Sequence, residues 1–531
     1  MEQAASTKRL VLVAAILGTT VVTVDSTVVN VALPAIEDDL GGGLAGQQWT
    51  SNAYLLTLSS LLLVAGSLGD LFGARLVFAI GVSGFGVTSI FCAVAPTVEL
   101  LVVARALQGV FGALLTPAAL AVIVATFPPN ERGRAVGAWT AWGGIGTVLG
   151  PLIGGQLVDT ASWRWIFAIN VPIVLITLFL VLRVVPEGEG RAADAKVDVI
   201  GATLCALGLG GITYGLISQP LHGWGAPGVA APLIAGVILF VSFVAWEARS
   251  AHPMLPLALF RRRNFAVGNI ETFSMYAGLG LLFFFLVLFL QQVAGYSALE
   301  AGTTTIPVTL VLFALSARFG ALADRHGPRF FMGVGPLVAA VGLAFFLGVD
   351  ADVDYLTDLL PGLLIFSVGL AMTVAPLTAT VLADADEHNA GIASGVNNAI
   401  ARVASLIAIA AVGAVVASSF GSALRDELGA QASRPEVARA IAEAEKQPLA
   451  RLEVSDVPPR VRAEVASGSQ DASVQAFHVA IGIATVLVAL GGVLGLVGIV
   501  NPRRRVEAKG CPGGQLAGCP GEAAREAVAP A

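Results

Sequence analysis

Of the chain's 531 residues, 56% are hydrophobic and 12% are charged, with a mean hydropathy of +0.82. A soluble domain carries about twice that share of charge, so the composition excludes a soluble globular protein. The net charge of −6 carries no message about nucleic acid, because most of the charge lies in loops, and no nucleic-acid partner is expected.

Apolar runs long enough to cross a hydrocarbon core of about 30 Å, which takes about 20 helical residues, recur from end to end. Backbone polar groups in lipid must be paired internally, so spans of this length are helices rather than barrel strands. The predicted class is all-α, a polytopic membrane protein. The first run follows Lys8 and Arg9 and reaches about Leu33. It is too long for a signal-peptide core and lacks a convincing small-x-small cleavage site, so it is expected to stay as the first helix. Helices are predicted near 9–33, 49–69, 76–95, 98–124, 135–158, 163–183, 198–218, 228–247, 264–292, 300–322, 330–349, 359–383, 390–418 and 475–499. That makes about fourteen spans, which puts both termini on one side.

Short loops sort by charge. Arg75, Arg132, Arg134, Arg183, Arg191, Lys196, Arg249, Arg261, Arg262, Arg263, Arg325 and Arg329 fall in alternate loops or at their edges. The opposite loops hold Glu37, Asp38, Asp39, Asp350, Asp352 and Asp354, with Arg164 the main basic exception. The positive-inside rule then places both ends in the cytoplasm of a plasma-membrane protein. The acidic loop 384–389 dissents weakly, since the rule counts Lys and Arg. The long outer loop 419–474 is mixed in charge and interrupted by Pro448, Pro458 and Pro459, which predicts short surface helices and turns. A solvated cap and a substrate-recruiting element are its two readings. The tail 501–531 is polar and rich in Pro and Gly, the composition of a disordered segment. Cys92 and Cys205 fall inside spans, while Cys511 and Cys519 lie in the tail without partners at metal-ligand spacing.

The chain repeats itself. GSLGDLFGAR, from Gly66 to Arg75, returns as GALADRHGPR, from Gly320 to Arg329, at an offset of 320 − 66 = 254. The same offset carries Arg9, where the first helix is predicted to begin, to Arg263, where the ninth begins. The division expected is a six-helix half over 1–183, two inserted helices within 184–262, and a second six-helix half over 263–500. Paired halves with a binding site between them are a recurring transporter architecture.

The GxLxDxxGxR stretch after the second helix resembles the cytoplasmic-loop motif of the major facilitator superfamily. With about fourteen spans, the chain resembles that superfamily's drug:proton antiporters of the QacA/EmrB kind. VDSTVVNVALP (24–34), RALQGVFGA (105–113) and GTVLGPLIGG (146–155) resemble their helix-1, helix-4 and helix-5 motifs in order, and WRWIFAINVP (163–172) follows. Leu71 and Ala74 depart from the loop motif, where basic residues are common, so its charge network is expected to be thinner.

Asp25 sits among Thr19, Thr20, Thr23, Ser26 and Thr27. A carboxylate at membrane depth costs at least about 2.5 kcal/mol, so such residues pair, face a cavity or carry protons. The plainer reading is a polar residue satisfied at a helix contact. Asp25 lies about eight residues, or ~12 Å, from the predicted outer end of its helix, and Arg105 is at similar depth, so the two can pair. The resemblance implies that Asp25 and Arg105 serve proton coupling; helix packing is the alternative for Arg105. Glu271 either binds a cationic substrate or a second proton, or snorkels to the inner interface. Arg402, beside Asn397 and Asn398, is open to neutralising Glu271, meeting an anionic substrate, or packing. Trp142 and Tyr276 are candidate cavity aromatics, although such side chains also face lipid or core.

Gly146, Gly150, Gly154 and Gly155 let a neighbouring helix approach closely, and Pro151 bends the helix that carries them. This suits a gate between halves, with plain packing as the alternative. Asp70, Gly73 and Arg75, and their repeats Asp324, Gly327 and Arg329, are implied by the resemblance to latch the halves on the cytoplasmic side.

The expected function is proton-coupled efflux of hydrophobic or cationic toxic compounds. The alternative is a dedicated exporter of one self-made natural product (antibiotic self-resistance), a lipid or a siderophore. No GxxxxGK[ST] loop is present, which argues against an ATP-driven pump. No cofactor is expected, since the proton gradient supplies the drive. A membrane-embedded enzyme using Asp25 and Glu271 as acid and base is disfavoured by their different depths. The partners expected are a small-molecule substrate, protons and the lipid bilayer, with a monomer sufficient for function.

Overall fold

The computed structural model describes residues 2–186, 197–251, 253–383, 390–429 and 462–501, with a few positions between 430 and 461. The tail beyond 501, loop 384–389, Arg191, Lys196 and most of 430–461 lie outside the described residues. Every regular element among the described residues is helical.

The first half comprises α1 (Glu2–Leu40), α2 (Gly43–Phe72), α3 (Ala74–Ala93), α4 (Val98–Thr126), α5 (Pro129–Thr160) and a span broken at Ile169 into α6 (Trp165–Ala168) and α7 (Asn170–Val184). The helices α8 (Val199–His222) and α9 (Pro227–Glu247) follow. The remainder comprises α10 (Arg263–Gln292), α11 (Ala298–Thr303), α12 (Ile306–His326), α13 (Pro328–Ala344), α14 (Leu360–Ala383), α15 (Ala390–Leu428) and α16 (Arg462–Gly498). Among the described residues, 12 helices are long and apolar enough to cross a membrane.

Several helices outrun their predicted ends. The first continues through Pro34 to Leu40, so Glu37, Asp38 and Asp39 form its last turn rather than a loop. Proline cannot donate to the carbonyl four residues back, which weakens the helix at this point. One residue further on, the Val31 carbonyl accepts a hydrogen bond from Gln291 Nε2 of α10 at 3.0 Å, so a side chain braces the bend. Arg164, the basic exception among the acidic loops, ion-pairs with Asp39, which also accepts from Trp163 Nε1 at 3.0 Å. Its charge is answered locally.

The apolar clusters show how the halves meet. Near the end of the bundle where α1 finishes (the Leu40 end), one continuous core runs from Val28, Leu33 and Ile36 of α1 into Leu281, Phe285 and Phe289 of α10 and Phe477 of α16. Phe289 and Phe477 stack at 4.2 Å within it. Toward the opposite end, where α2 finishes (the Phe72 end), the core divides. Val11, Phe78, Ile123 and Val181 belong to a cluster confined to the first half, and Phe265, Met332, Val381 and Val396 to one confined to the second. Burial of apolar surface contributes about 25 cal/mol per Å², so cohesion between halves is concentrated at the Leu40 end.

The internal repeat is visible in three dimensions. Gly73 (φ 86°) and Gly327 (φ 92°) make the same left-handed corner before α3 and α13, a conformation that favours glycine. Arg75 Nη2 donates to the Leu182 carbonyl near the end of α7 at 2.7 Å, and Arg329 Nε donates to the Leu496 carbonyl near the end of α16 at 2.5 Å. Each arginine thus ties the opening of one helix to the close of the last helix in its own half.

The pair α8 and α9 sits against the seam between halves. Cys205, Leu209 and Phe243 pack with Leu56 of α2 and with Val403 and Ile407 of α15. In the long loop, Val437, Ile441, Ala444 and Leu449 are buried in the main core. Their spacing of four, three and five residues puts at least the first three on one helical face. These positions therefore pack on the bundle, as one face of a surface helix does, and both readings of the loop stay open.

Candidate functional site

Asp25 lies fifteen residues before Leu40 (40 − 25), so its depth is about 22 Å at 1.5 Å per residue, greater than the sequence indicated. It is wholly buried at 0% exposure, and Arg105 at 1%. Arg105 Nη1 donates to Asp25 Oδ2 at 2.5 Å, joining α4 to α1. The other carboxylate oxygen accepts from Gln108 Nε2 at 3.0 Å and Asn170 Nδ2 at 3.1 Å. Ser89 Oγ of α3 accepts from the same Gln108 nitrogen at 2.8 Å. One carboxylate thus gathers donors from α4 and α7.

The guanidinium is equally well held. Arg105 Nε donates to the Thr50 carbonyl of α2 at 3.1 Å, and Nη1 also donates to Gln108 Oε1 at 2.7 Å. Its Cζ lies 4.3 Å from the centre of the Tyr54 ring and 5.6 Å from that of Phe167. Arginine stacked on an aromatic face gains about 0.5–2 kcal/mol, more when dry. Removing one partner of a buried ion pair costs about 3–5 kcal/mol because the other charge is stranded.

Gln108, Asn170, Ser89 and Tyr54 were not singled out from sequence. Gln108 carried a signal, since it stands three residues after Arg105 and therefore on the same helical face. Asn170 lies inside the WRWIFAINVP stretch but carries no charge to mark it.

Glu271 of α10 is buried at 0% exposure, and among the described residues no hydrogen-bond partner meets either carboxylate oxygen. A Cβ on Gly495 of α16 would lie 3.0 Å from Glu271 Oε2, so the carboxyl faces that helix. The structure does not place Glu271 at the inner interface, nor bring Arg402 to it. Arg402 of α15 lies within electrostatic range of Tyr54 of α2 and Tyr276 of α10. Among the described residues it has neither a hydrogen bond nor an ion pair. Asn397 Nδ2 donates to Thr272 Oγ1 at 2.7 Å and to Asn269 Oδ1 at 3.2 Å, while Asn398 is exposed and bonds the Ser394 carbonyl of its own helix. Trp142 is 52% exposed.

The glycines of α5 divide between two neighbours. Cβ atoms on Gly146, Gly150 and Gly154 would meet α1 at Thr20, Thr27 and Val28, whereas one on Gly155 would stand 2.5 Å from the Leu299 backbone of α11. Reciprocally, a Cβ on Gly302 of α11 would lie 2.7 Å from the Pro151 carbonyl. Asp159 completes this contact. Its two oxygens accept from the Ala298 and Leu299 backbone N–H groups at 3.0 and 2.9 Å, capping α11 from the opposite half. Gln48 Nε2 also crosses between halves, to the Ile409 carbonyl at 2.7 Å.

Toward the Phe72 end, the loop-motif arginines bond within their own halves, as described above. Asp324 is exposed, and the Asp70 side chain lies outside the described residues. Among the described residues, this conformation is joined by one shared apolar core at the Leu40 end, while at the Phe72 end the core is parted into one cluster per half.

Residues 15–409 match the family model of the Major Facilitator Superfamily. The chain is 35% identical to the tetracenomycin C resistance and export protein of Streptomyces glaucescens, over 84% of this chain and 82% of that protein. It is 33% identical to the multidrug resistance protein Stp of Mycobacterium tuberculosis, over 80% of this chain and 78% of that one. In fold it is similar to a bacterial homologue of the human lysosomal transporter Spinster, with a TM-score of 0.62 at 19% identity, over 94% of this chain and 99% of that chain. A helical bundle in repeated halves, a buried Asp–Arg pair and the extent of the family match lead to one assignment: the chain belongs to the major facilitator superfamily and is a multi-pass membrane transporter.

Proposed function

We propose that the protein is a proton-coupled exporter of small, largely apolar organic compounds in the plasma membrane. The carrying observation is the Asp25 carboxylate, sealed from solvent and bonded by Arg105, Gln108 and Asn170. Export is supported by the relatives, named for antibiotic export and multidrug resistance. The topology proposed has fourteen spans, the 12 candidates plus α2 and α5, which are 30 and 32 residues long. The Leu40 end then faces outward and both termini face the cytoplasm, as the distribution of Lys and Arg favours. In this orientation the parted end opens to the cytoplasm, ready to load.

Proton coupling follows from the bonding around Asp25. A proton on either oxygen removes the negative charge that holds α1 to α4 and α7, and Arg105 then loses its counter-charge. The joint loosens, and the bundle gains a reason to change shape. At about 100 mV, each inward proton supplies roughly 2.3 kcal/mol, equivalent to about a 50-fold gradient of a neutral solute.

Efflux of a dye panel from energised vesicles tests this, comparing wild type with Asp25→Asn, with and without a protonophore. Wild-type efflux abolished by protonophore and absent in the variant is expected; equal, protonophore-insensitive efflux in both overturns the mechanism. A second reading, a dedicated exporter of one self-made compound, is favoured by the relative named for tetracenomycin C. Transport confined to one member of a broad panel would select it.

A further inference from the structure

Two arginines stand at depth in the bundle, and their surroundings are opposite. Arg105 is saturated by Asp25, Gln108 and the Thr50 carbonyl. Arg402 has no hydrogen bond or ion pair among the described residues, and the groups that act on it electrostatically are the phenols of Tyr54 and Tyr276. Guanidinium stays charged in any protein environment, and a buried charge without a partner is costly. The nearest acid on α10, Glu271, turns toward Gly491 and Gly495 of α16. Arg402 lies on a helix inside the bundle yet keeps accessible surface, as does Tyr276, whose carbonyl accepts from Ser405 three residues along α15 at 2.8 Å. That combination belongs to side chains facing an internal recess. Its place is the seam itself, since Tyr54 comes from the first half and Tyr276 and Arg402 from the second.

We infer that Arg402 binds the anionic group of the exported compound, an organic acid with an apolar body, in a recess at the seam beside Tyr276. This rests on the export reading and names its substrate class, choosing the anionic substrate among the readings that the sequence left open for Arg402. A carboxylate, sulfonate or phenolate supplies the counter-charge that the protein withholds, and the Tyr276 ring supplies apolar contact with a polar tip. The site also adjoins the proton site. Tyr54 lies against Arg105 at 4.3 Å on one side and within range of Arg402 on the other. An anion arriving at Arg402 therefore acts within electrostatic range of the tyrosine on which Arg105 stacks.

Binding is measured on the full-length protein in nanodiscs with three probes sharing one ring system: 1-pyrenebutyrate, 1-pyrenebutanol and a pyrenebutyl-trimethylammonium salt. Energy transfer from tryptophan reports occupancy, so the result does not depend on transport. Wild type is expected to bind the carboxylate at least tenfold tighter than the alcohol and the ammonium most weakly. Arg402→Gln should abolish the tenfold preference while keeping the alcohol's affinity, and Arg402→Lys should keep most of it. Wild type binding the ammonium as tightly as the carboxylate, or Arg402→Gln retaining the preference, overturns the inference. Protonophore-sensitive efflux, read separately in vesicles, distinguishes failure of the substrate class from failure of the export reading.

Discussion

Asp25 and Arg105 stand 80 residues apart in sequence and meet in a 2.5 Å ion pair, with neither group exposed. The pair closes a ring of helices in which α1, α3, α4 and α7 each contribute a polar side chain. Its neighbours are amides and a hydroxyl, which hold the carboxylate in place without adding a second charge.

The pair separates stability from transport. Asp25→Asn strands the guanidinium and is expected to destabilise the folded protein by about 3–5 kcal/mol, as breaking buried pairs does. The double variant Asp25→Asn/Arg105→Gln removes both charges and should recover most of that loss. Thermal unfolding in detergent checks the recovery. Export in vesicles should stay absent in both variants, because neither keeps the Asp25 carboxylate. A double variant with export restored would assign the pair to packing alone.

Glu271 gives a contrasting case. Among the described residues no donor meets either of its oxygens, and it faces α16 rather than the seam. Glu271→Gln is therefore expected to leave the affinity for a cationic dye such as ethidium unchanged within about twofold and stability within about 1 kcal/mol. Equilibrium binding and thermal unfolding read the two quantities. A tenfold loss of ethidium binding would return Glu271 to the substrate site.

The helices and the repeat were legible because lipid imposes length and apolarity on every span, and because Asp70, Gly73 and Arg75 recur intact as Asp324, Gly327 and Arg329. Asp25 and Arg105 were legible for a related reason, since charge at depth is conspicuous. Their amide partners Gln108 and Asn170 were not, because uncharged amides are common in helix–helix contacts within membranes and do not demand a partner as a charge does. The facing of Glu271 and Arg402 was beyond reach. Five positions separate Glu271 from Tyr276, which at 100° per residue turns them to different faces, but which face meets the seam is set by how α10 rotates against α16. The end of α1 was misplaced because Pro34 reads as a stop, whereas here the weakened turn is braced from α10.

Asp159 is expected to set the balance between joined and parted Leu40 ends. It caps α11 across the seam with two charge-assisted hydrogen bonds. Loss of a cap costs about 0.5–2 kcal/mol, so Asp159→Ala should shift the equilibrium toward the parted state by roughly 2- to 30-fold. Spin labels at the exposed positions Pro96 and Asp352, one in each half, report the distance distribution. An unchanged distribution would make the cap a local feature of α11.

Gly155 tests the same contact by bulk rather than by charge. An added Cβ would lie 2.5 Å from Leu299 Cα and 2.7 Å from its nitrogen, both backbone atoms that no rotamer change can move aside. Gly155→Val therefore forces α5 and α11 apart and should prevent full closure at the Leu40 end. Gly146→Ala makes a control on the same helix, since its Cβ meets only side-chain atoms of α1, the nearest at 3.4 Å. Export should fall more than tenfold in Gly155→Val while ligand binding persists, because Arg402 stands on α15 and not on either helix of the α5–α11 contact. The Gly146→Ala protein should keep most of its activity. If both variants export normally, the α5–α11 contact is not part of the transport cycle; if both lose binding as well as export, the glycines serve the packing of α5 rather than a gate.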